Sequence, residues 1–249
     1  MLSKYILKNF SLHGKKGLVV GSSRGIGLST VKLMIECGAK IQGISRTKPK
    51  FKNNNFFFSK VDINSFDEVR LFKKNELKFS KLDFIVNTVG ISKDYNDFSN
   101  SIESFEQIVK TNLISIYNLI NCLKPKIKKH GSIVNVTSIG GHLGFPNNPG
   151  YLSSKSGLRN LTKSLSIDLY NYNSIRVNNV APGYILTDMT KKSFDNIKRR
   201  KKICEKTSLN RWGKSKEVAN AIIFLCANGS SYINGADIVV DGGWLSKGL

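Results

Sequence analysis

The chain alternates short apolar runs with longer amphipathic stretches. Alternation of this kind is typical of βαβ units and predicts a parallel sheet, because buried parallel strands appear as continuous apolar runs. The predicted strands cover Gly17 to Val20, Lys40 to Ile44, Phe56 to Val61, Leu82 to Val86, Ser132 to Val136, Arg176 to Val180 and Asp237 to Val240. The predicted helices cover Leu28 to Cys37, Phe66 to Leu77, Phe105 to Leu123, Tyr151 to Tyr170 and Ser215 to Ala227.

These elements predict one α/β domain that spans residues 1–249: a doubly wound, parallel, seven-stranded sheet with helices on both faces. A chain of 249 residues with 40% hydrophobic side chains suits one such domain and leaves no room for a second of comparable size. We expect the irregular basic segment around residues 188–210 to form a substrate lid.

The net charge of +22 does not alter the predicted fold, but it raises the question of a partner. A polyanionic partner is one interpretation, and a general compositional excess of lysine and asparagine is the other. Lysines are spread along the whole chain, which favours the compositional interpretation, so no nucleic-acid partner is expected. The run Lys198-Arg199-Arg200-Lys201-Lys202 is interpreted as the solvated face of a helix.

The cysteines and the apolar segments indicate a compartment. The four cysteines are scattered without a CxxC pair, which is typical of reduced thiols. No apolar run approaches the length of a membrane span, and the first ten residues lack a continuous apolar stretch. We therefore expect a cytoplasmic protein with no membrane span. His13, His130 and His142 show no ligand spacing, so no metal site is predicted.

A glycine-rich turn follows the first predicted strand and opens the first helix. Glycines at these points allow a tight turn, a close approach of a pyrophosphate to the backbone, and close packing of helix on strand. The helix N-terminus then offers free N–H groups and the positive end of its dipole to phosphates. The predicted dinucleotide-binding residues of this turn are Gly21, Ser23, Arg24, Gly25, Ile26 and Gly27.

The end of the second strand selects the cofactor. NAD sites place an acid there for the ribose hydroxyls, whereas this chain has Ser45 followed by Arg46. With Arg24 in the glycine turn, two cations suit a ribose 2′-phosphate and predict NADP(H). A solvent-facing Arg46 is the alternative, and it leaves NAD(H) open.

Tyr151 and Lys155 are four residues apart and lie on one face of a predicted helix. An ammonium beside a phenol favours phenolate, so we expect Lys155 to lower the pKa of Tyr151 and to make proton exchange easier near neutral pH. The spacing alone is common on solvated helices. It gains meaning because Ser138 ends an apolar run 13 residues earlier, and because the glycine turn is present.

From about Lys16 to Gly243 the chain resembles the classical short-chain dehydrogenase/reductase family. The resemblance rests on several separate motifs. They are Gly21 to Gly27, Asn87 to Gly90, Asn112, Ser138, Tyr151 with Lys155, Pro182-Gly183 and the closing Val240 to Gly243. Two departures are visible: Val20 stands where the family commonly has threonine, and Asn87-Thr88-Val89-Gly90 replaces Asn-Asn-Ala-Gly. Neither departure removes a catalytic group.

The resemblance implies a Rossmann fold and an NAD(P)-dependent oxidoreductase acting on a ketone or secondary alcohol. Tyr151 would be the general acid and base, with Lys155 supporting it and binding the nicotinamide ribose. Ser138 would hold the substrate oxygen, and Asn112 would anchor a water of a proton relay. The remaining implied cofactor contacts are Asp62 and Ile63 at the adenine, Asn87 beside the ribose, and Ile185 and Thr187 at the nicotinamide carboxamide and the phosphates, together with Gly90, Pro182 and Gly183.

The family resemblance also implies a homotetramer, formed through the helices predicted at Phe105 to Leu123 and Tyr151 to Tyr170. Within the family the chain looks most similar to 3-oxoacyl-acyl-carrier-protein reductases, which implies an acidic carrier protein as a partner. Lys126, Lys128 and Lys129 lie where those enzymes present a docking cation, but a second cation near Tyr170-Asn171-Tyr172-Asn173 is absent.

The substrate is open at this stage. His142, Asn148 and Tyr184 are candidate substrate contacts, and the first two would suit a polar substrate. A sugar or polyol dehydrogenase, acting in carbohydrate metabolism or surface-glycan synthesis, is therefore the alternative to a 3-oxoacyl reductase. A third hypothesis is a non-catalytic protein that binds a cofactor or nucleic acid on the same fold. The complete set of catalytic residue types argues against it.

Overall fold

The computed structural model of the protein describes residues 3–92 and 102–247. The strands are β1 (Lys16–Val20), β2 (Lys40–Ser45), β3 (Phe56–Lys60), β4 (Leu82–Asn87), β5 (Ile127–Val136), β6 (Arg176–Pro182), β7 (Ile185–Leu186), β8 (Gly213–Lys214) and β9 (Asp237–Val240). Seven of them form one sheet in the order β3-β2-β1-β4-β5-β6-β9, and every pairing in it is parallel. The predicted doubly wound parallel sheet is confirmed.

Helices connect the strands. They are α1 (Lys4–Phe10), α2 (Gly25–Glu36), α3 (Phe66–Leu71), α4 (Ile102–Val109), α5 (Ser115–Leu123), α6 (Pro149–Asn173), α7 (Lys191–Asp195), α8 (Ile197–Lys206), α9 (Ser215–Cys226) and α10 (Trp244–Lys247). One-turn π segments follow α3 at Phe72–Glu76 and join α4 to α5 at Lys110–Ile114. No helix in the described part of the chain is long and apolar enough to cross a membrane.

The sheet has an apolar core on each face. Alternate residues of β1 divide between them: Leu18 packs with side chains of α5 and α6, whereas Val19 packs with side chains of α2 and α9. Because side chains alternate across a strand, each central strand contributes to both cores. Helices therefore cover both faces, as predicted, and the carboxyl ends of the strands are left free at one edge.

Several element boundaries differ from the predictions. Helix α2 begins at Gly25 instead of Leu28, because the glycine turn itself supplies its first turn. The single helix predicted over Phe105 to Leu123 is interrupted by the π segment at Lys110–Ile114. Strand β5 begins at Ile127, and its pairing with β4 shifts register before Phe84. Hydrophobic periodicity does not encode either irregularity.

Candidate active site

The glycine-rich turn lies where β1 ends and α2 begins, at the carboxyl edge of the sheet. Gly21 has a φ of +85°, and Gly25 has a φ of +55°, a backbone conformation that suits glycine. A Cβ on Gly27 would lie 2.1 Å from the carbonyl oxygen of Gly21. The turn is therefore as tight as the sequence predicts, and its backbone is open to a close approach by a ligand.

A cavity of about 310 Å³ opens beside this turn. Its lining includes twelve of the predicted cofactor residues: Gly21, Ser23, Arg24, Gly25, Ile26, Gly27, Ser45, Arg46, Asp62, Ile63, Gly90 and Thr187. Thr88, from a strand end that the sequence places at this edge, also lines the cavity, and the sequence did not predict the lining residues Thr47, Asn64, Thr111, Asp188 and Met189. The cavity spans the ends of β1, β2, β3 and β4, which is the position expected for a dinucleotide in this topology.

Two arginines border the cavity. Arg46 is exposed after the end of β2 and forms no ion pair within the described residues. Arg24 lies 4.0 Å from a carboxylate oxygen of Asp188, and both side chains are largely exposed. Because a solvated pair at this distance contributes little to stability, Arg24 is available to an anionic ligand. No acidic side chain takes the ribose position at Ser45.

Asp62 is held in place beyond β3. Its backbone N–H donates to a carboxylate oxygen of Glu68 at 2.9 Å, and its own carboxylate accepts from the backbone N–H of Asn64 at 3.0 Å. The neighbouring Ile63 is buried among the apolar residues of one core. This local network fixes the loop that forms one wall of the cavity.

Thr88 connects the glycine turn to β4. Its hydroxyl donates to the carbonyl oxygen of Val20 at 2.7 Å and lies 3.3 Å from that of Gly21. In the sequence, Thr88 stands at a departure from the family motif. In the structure it ties the end of β1 to the end of β4, at the point where the strand order reverses.

Ser138, Tyr151 and Lys155 come from two neighbouring elements. Ser138 follows the end of β5, and its hydroxyl oxygen accepts from the backbone N–H of Gly140 at 3.0 Å. Lys155 is buried on α6, where its ammonium donates to the carbonyl oxygen of Val136 at 2.8 Å and lies 5.9 Å from the ring centre of Tyr151. A Cβ on Gly90 would lie 3.2 Å from the same ammonium, so this nitrogen borders the cofactor cavity.

The ionisation of the pair differs from the expectation. Burial raises the pKa of Tyr151, and the hydrogen bond with Ser138 acts in the opposite direction. Burial also lowers the pKa of Lys155 to about 8. The lowering of the phenol pKa by Lys155 is therefore not observed, because desolvation dominates at Tyr151 and the ammonium is directed to Val136. Ser138 is the side chain that favours phenolate here.

Asn112 lies in the π segment between α4 and α5 and is fully buried. Its side-chain oxygen accepts from the backbone N–H of Ile91 at 2.8 Å, and its side-chain nitrogen donates to the carbonyl oxygen of Ile91 at 2.9 Å. The nitrogen also donates to the hydroxyl of Ser154 at 3.0 Å. Asn112 thus joins the loop after β4 to helix α6, and its role as a water anchor stays a prediction.

Asn87 does not line the cavity. It is fully buried, and it donates to the side-chain oxygen of Asn135 at 2.7 Å. The side-chain nitrogen of Asn135 donates to the hydroxyl of Thr162 at 2.9 Å, and this hydroxyl donates to the side-chain oxygen of Asn179 at 2.6 Å. This chain of side chains joins β4, β5, α6 and β6 beneath the site. The side-chain oxygen of Asn87 itself has no hydrogen-bond partner among the described residues, and its contact with a cofactor stays a prediction.

Pro182, Gly183 and Ile185 also lie outside the cavity lining, at and beyond the end of β6. A Cβ on Gly183 would lie 2.7 Å from the Cβ of Asp241, and the backbone N–H of Gly183 donates to the carbonyl oxygen of Val240 at 3.0 Å. The glycine is therefore required by the close approach of the C-terminal segment.

The polar substrate candidates contact the protein itself. Asn148 donates to the hydroxyl of Ser92 at 2.8 Å, immediately before α6. His142 is half-buried with its Nε2 atom unpartnered among the described residues, and burial and the charge of Arg159 lower its pKa. Asn148 therefore lies immediately before α6, three residues before Tyr151 in the chain. The surroundings of His142 include the ion pair of Arg159 with Asp237.

Tyr184 belongs to a row of aromatic rings that the sequence argument did not recognise. Its ring centre lies 5.4 Å from that of Trp212 and 5.7 Å from that of Trp244. Trp212 contacts Phe194 of α7 at 5.3 Å, and Trp244 contacts Phe145 at 6.2 Å. These five rings are far apart in sequence, so no local pattern could have predicted the row.

The aromatic row begins close to Ser138. A Cβ on Gly140 would lie 3.3 Å from the ring of Phe145 and 3.4 Å from the hydroxyl oxygen of Ser138. The indole nitrogens of Trp212 and Trp244 are buried and have no hydrogen-bond partner in the described part of the protein. The row therefore extends from the neighbourhood of Ser138 to α7 and contains two indole N–H groups without an acceptor among the described residues.

The residues at the cavity fit a dinucleotide cofactor. The glycine turn would accept the pyrophosphate because a Cβ at Gly27 would close it, and the Lys155 ammonium borders the far end of the cavity. In the described residues no group of three or more histidine, cysteine or acidic side chains is placed to hold a metal ion.

Comparison with known proteins agrees with this geometry. Residues 20–245 match the family described as Enoyl-(Acyl carrier protein) reductase. The chain is 38% identical over 245 residues to a 3-oxoacyl-[acyl-carrier-protein] reductase of Chlamydia trachomatis, covering 93% of this chain and 98% of that relative. It is 32% identical over 255 residues to the 2-dehydro-3-deoxy-D-gluconate 5-dehydrogenase of Bacillus subtilis, covering 98% and 99%.

Solved structures show the same likeness. A gluconate 5-dehydrogenase of Burkholderia cenocepacia, in complex with NADP and tartrate, superimposes with a TM-score of 0.86 at 27% identity over 96% of this chain and 98% of that one. The family match spans most of the chain, and both curated relatives are covered almost end to end. The chain therefore belongs to the classical short-chain dehydrogenase/reductase family of NAD(P)-dependent oxidoreductases.

Proposed function

We propose that the protein is an NADP(H)-dependent reductase of 3-oxoacyl thioesters. The observation that carries the chemistry is the convergence of Ser138, Tyr151 and Lys155, with the Lys155 ammonium next to Gly90, a residue that lines the cavity of the glycine turn. Reduction of the ketone to a secondary alcohol needs a hydride at carbon and a proton at oxygen. The nicotinamide supplies the hydride when the cofactor is bound.

The protein supplies the proton and holds the substrate oxygen. The Tyr151 phenol donates its proton to the carbonyl oxygen in reduction and takes it back in oxidation. The Ser138 hydroxyl donates a hydrogen bond to the same oxygen, where negative charge develops. The hydrogen bond with Ser138 favours phenolate as Tyr151 gives up its proton, and the Lys155 ammonium, which is charged below its pKa of about 8, lies 5.9 Å from the centre of the Tyr151 ring.

The preference for NADP(H) is supported by charge at the end of β2. Arg46 is exposed there without an ion-pair partner in the described residues, and Ser45 replaces the acid of NAD sites. Arg24 contributes a second cation across the cavity. A 2′-phosphate would be bound by one or both guanidinium groups through charge-assisted hydrogen bonds.

The 3-oxoacyl substrate is supported by the 38% identity to the chlamydial reductase. An acidic carrier protein is the corresponding partner, because carriers present such substrates as thioesters on a flexible arm. The aromatic row offers an apolar wall next to Ser138, along which an acyl chain or the arm would lie.

A sugar-acid or polyol dehydrogenase is the second candidate. The two unpartnered indole N–H groups of Trp212 and Trp244 favour it, because aromatic rings with free donors suit an oxygen-rich substrate. The 32% identity to the Bacillus gluconate-type dehydrogenase supports the same interpretation. Asn148 would add a polar contact in the loop before α6.

A homotetramer is part of the proposal. Helices α5 and α6 expose large apolar side chains, among them Tyr117, Ile167 and Tyr170. A second copy that packs against these helices would cover them. Light scattering of the purified protein tests this point, and a monomer that stays active would reject it.

Oxidation of NADPH and NADH by the purified protein tests the function. The substrates are a 3-oxoacyl thioester and a set of keto-sugar acids, and the loss of reduced nicotinamide is followed by absorbance. Faster turnover of the thioester with NADPH is expected. Turnover of the sugar acids alone would replace the first candidate by the second. Cofactor binding without any turnover would favour a binding protein.

A further inference from the structure

The lid has a charge density far above that of the rest of the chain. Residues 191–206 contain eight lysines and arginines and only two acids. The acids are already paired, Asp195 with Lys191 at 3.1 Å and Glu205 with Lys201 at 4.0 Å. Six cations of this short segment are left without an ion pair in the described residues, so the excess is local and differs from the general lysine content.

The two sides of the lid are chemically different. Its inner side packs on the aromatic row: Phe194 contacts Trp212, Arg200 lies 5.0 Å from the ring of Phe194, and Ile203 is buried. Its outer side carries the exposed cations. We call the exposed part of the lid the lid surface, and it consists of Lys192, Lys198, Lys202 and Lys206 with the apolar side chains of Ile197 and Leu209, and with Met189 where the segment meets the cavity.

Part of the lid surface is a ladder of like charges. Lys198, Lys202 and Lys206 are spaced by four residues, so they lie above one another along α8 and extend over about 12 Å. Like charges at this spacing destabilise a helix, and an anionic partner would remove that repulsion. A small anionic substrate is too short to contact the whole ladder.

Apolar side chains accompany the cations. Ile197 is 71% exposed, Leu209 is 60% exposed and Met189 is 54% exposed. Phosphate backbones would leave them uncovered, whereas a protein partner with acids around an apolar patch would cover both kinds of group. A membrane is less suitable, because α8 presents Ile197 but no continuous apolar stripe on its outer side.

We propose that the lid surface is the docking site for an acidic acyl carrier protein. Asp188 and Met189 line the cofactor cavity at the start of the same segment, so a carrier bound here would sit at the entrance and deliver its thioester past the aromatic row. The docking cations expected from the sequence at Lys126, Lys128 and Lys129 lie elsewhere, and Lys128 is already paired with Asp83 at 2.8 Å. The inference rests on the proposed thioester reduction.

The test compares two substrates that share one reactive group. A 3-oxobutyryl thioester is supplied either on an acidic acyl carrier protein or on N-acetylcysteamine, which has no protein surface. The variant Lys198→Glu/Lys202→Glu reverses two exposed charges of the ladder. The matched control Lys40→Glu/Lys52→Glu makes the same change in net charge at exposed positions near the opposite, amino edge of the sheet.

We expect kcat/KM of the lid variant for the carrier substrate to fall about tenfold or more, through a higher KM with kcat unchanged. At high salt, most of the difference between the lid variant and the wild type should disappear, because salt screens the charges. Its kinetics with the small thioester and those of the control variant should stay at wild-type values. Equal losses on both thioesters, or no loss on the carrier, would reject the docking site.

The two levels of the proposal can fail separately. Turnover of both thioesters by the wild type, with no loss on the carrier substrate in the lid variant, would retain the reductase and reject the docking site. Absence of turnover with both thioesters would reject the reductase itself and the docking site with it. Binding of the wild type, but not the lid variant, to vesicles of anionic lipid, with carrier kinetics unchanged, would assign the lid surface to a membrane instead.

Discussion

The ammonium of Lys155 donates to the carbonyl oxygen of Val136 at 2.8 Å, and this contact fixes a charge between α6 and the end of β5. Tyr151 is one turn earlier on the same helix, and Ser138 follows two residues after Val136. The acceptor is a backbone oxygen, so it holds the lysine in place without neutralising it. The sheet edge and the helix together therefore bring Ser138, Tyr151 and Lys155 close to one another.

Removal of the Tyr151 hydroxyl should abolish turnover and spare cofactor binding. Tyr151→Phe keeps the ring, but it loses the group that exchanges a proton with the substrate oxygen. We expect kcat to fall by roughly 10²- to 10⁴-fold, the usual contribution of a general acid. Fluorescence titration should give an NADPH affinity close to the wild type. Turnover at the wild-type rate would reject the proposed role of Tyr151.

Reversal of the charge at Arg46 should change the preferred cofactor. Arg46→Asp places an acid where NAD sites have one and removes a cation from the proposed 2′-phosphate position. We expect KM for NADPH to rise about tenfold or more, with KM for NADH unchanged or lower. The comparison variant is Lys52→Asp, an exposed cation outside the cavity lining. An unchanged NADPH preference in Arg46→Asp would refute the cofactor assignment.

The tightness of the glycine turn gives a stability prediction. Gly27→Ala would put a Cβ 2.1 Å from the Gly21 carbonyl oxygen, so α2 must shift away from β1. We expect the free energy of unfolding to fall by about 1–3 kcal/mol, with weaker NADPH binding. Gly144→Ala is the control, because a Cβ there meets nothing within 4 Å. Equal urea midpoints for the two variants would contradict this account.

Local patterns predicted the parallel sheet and the cofactor cavity well. Strand ends carry short signals, so Gly21, Arg46 and Asp62 were found from the sequence and line one cavity in the structure. Parallel strands bring all such ends to the same edge, which makes this part of a site predictable. The family resemblance added the fold type, which is confirmed, and the roles proposed for Ser138 and Tyr151.

Contacts between distant segments were not predictable in the same way. The row from Phe145 through Trp244, Tyr184 and Trp212 to Phe194 joins four separate segments, and its residues show no shared period. The pKa of Tyr151 also depends on burial, which spacing does not reveal. Spacing placed Lys155 beside Tyr151, but the Val136 acceptor is visible only in three dimensions.

The buried ammonium of Lys155 should leave a signature in the pH dependence of stability. Burial lowers its pKa from 10.5 to about 8 in the folded protein. Between these values the unfolded chain keeps a proton that the folded protein has lost. The free energy of unfolding that this group contributes must therefore rise with pH in that window, and below pH 8 the full cost of burying the charge applies.

Urea unfolding without cofactor at about pH 7.5 and about pH 9.5 measures this contribution in wild type and in Lys155→Met. The wild type should gain up to about 2 kcal/mol relative to the variant over this interval, because Met has no proton to lose. Lys163→Met, an exposed position on the same helix, should follow the wild type. Parallel pH curves for wild type and Lys155→Met would mean that the ammonium is stabilised in place, by Val136 or by polar groups around it, and that the folded pKa is not lowered.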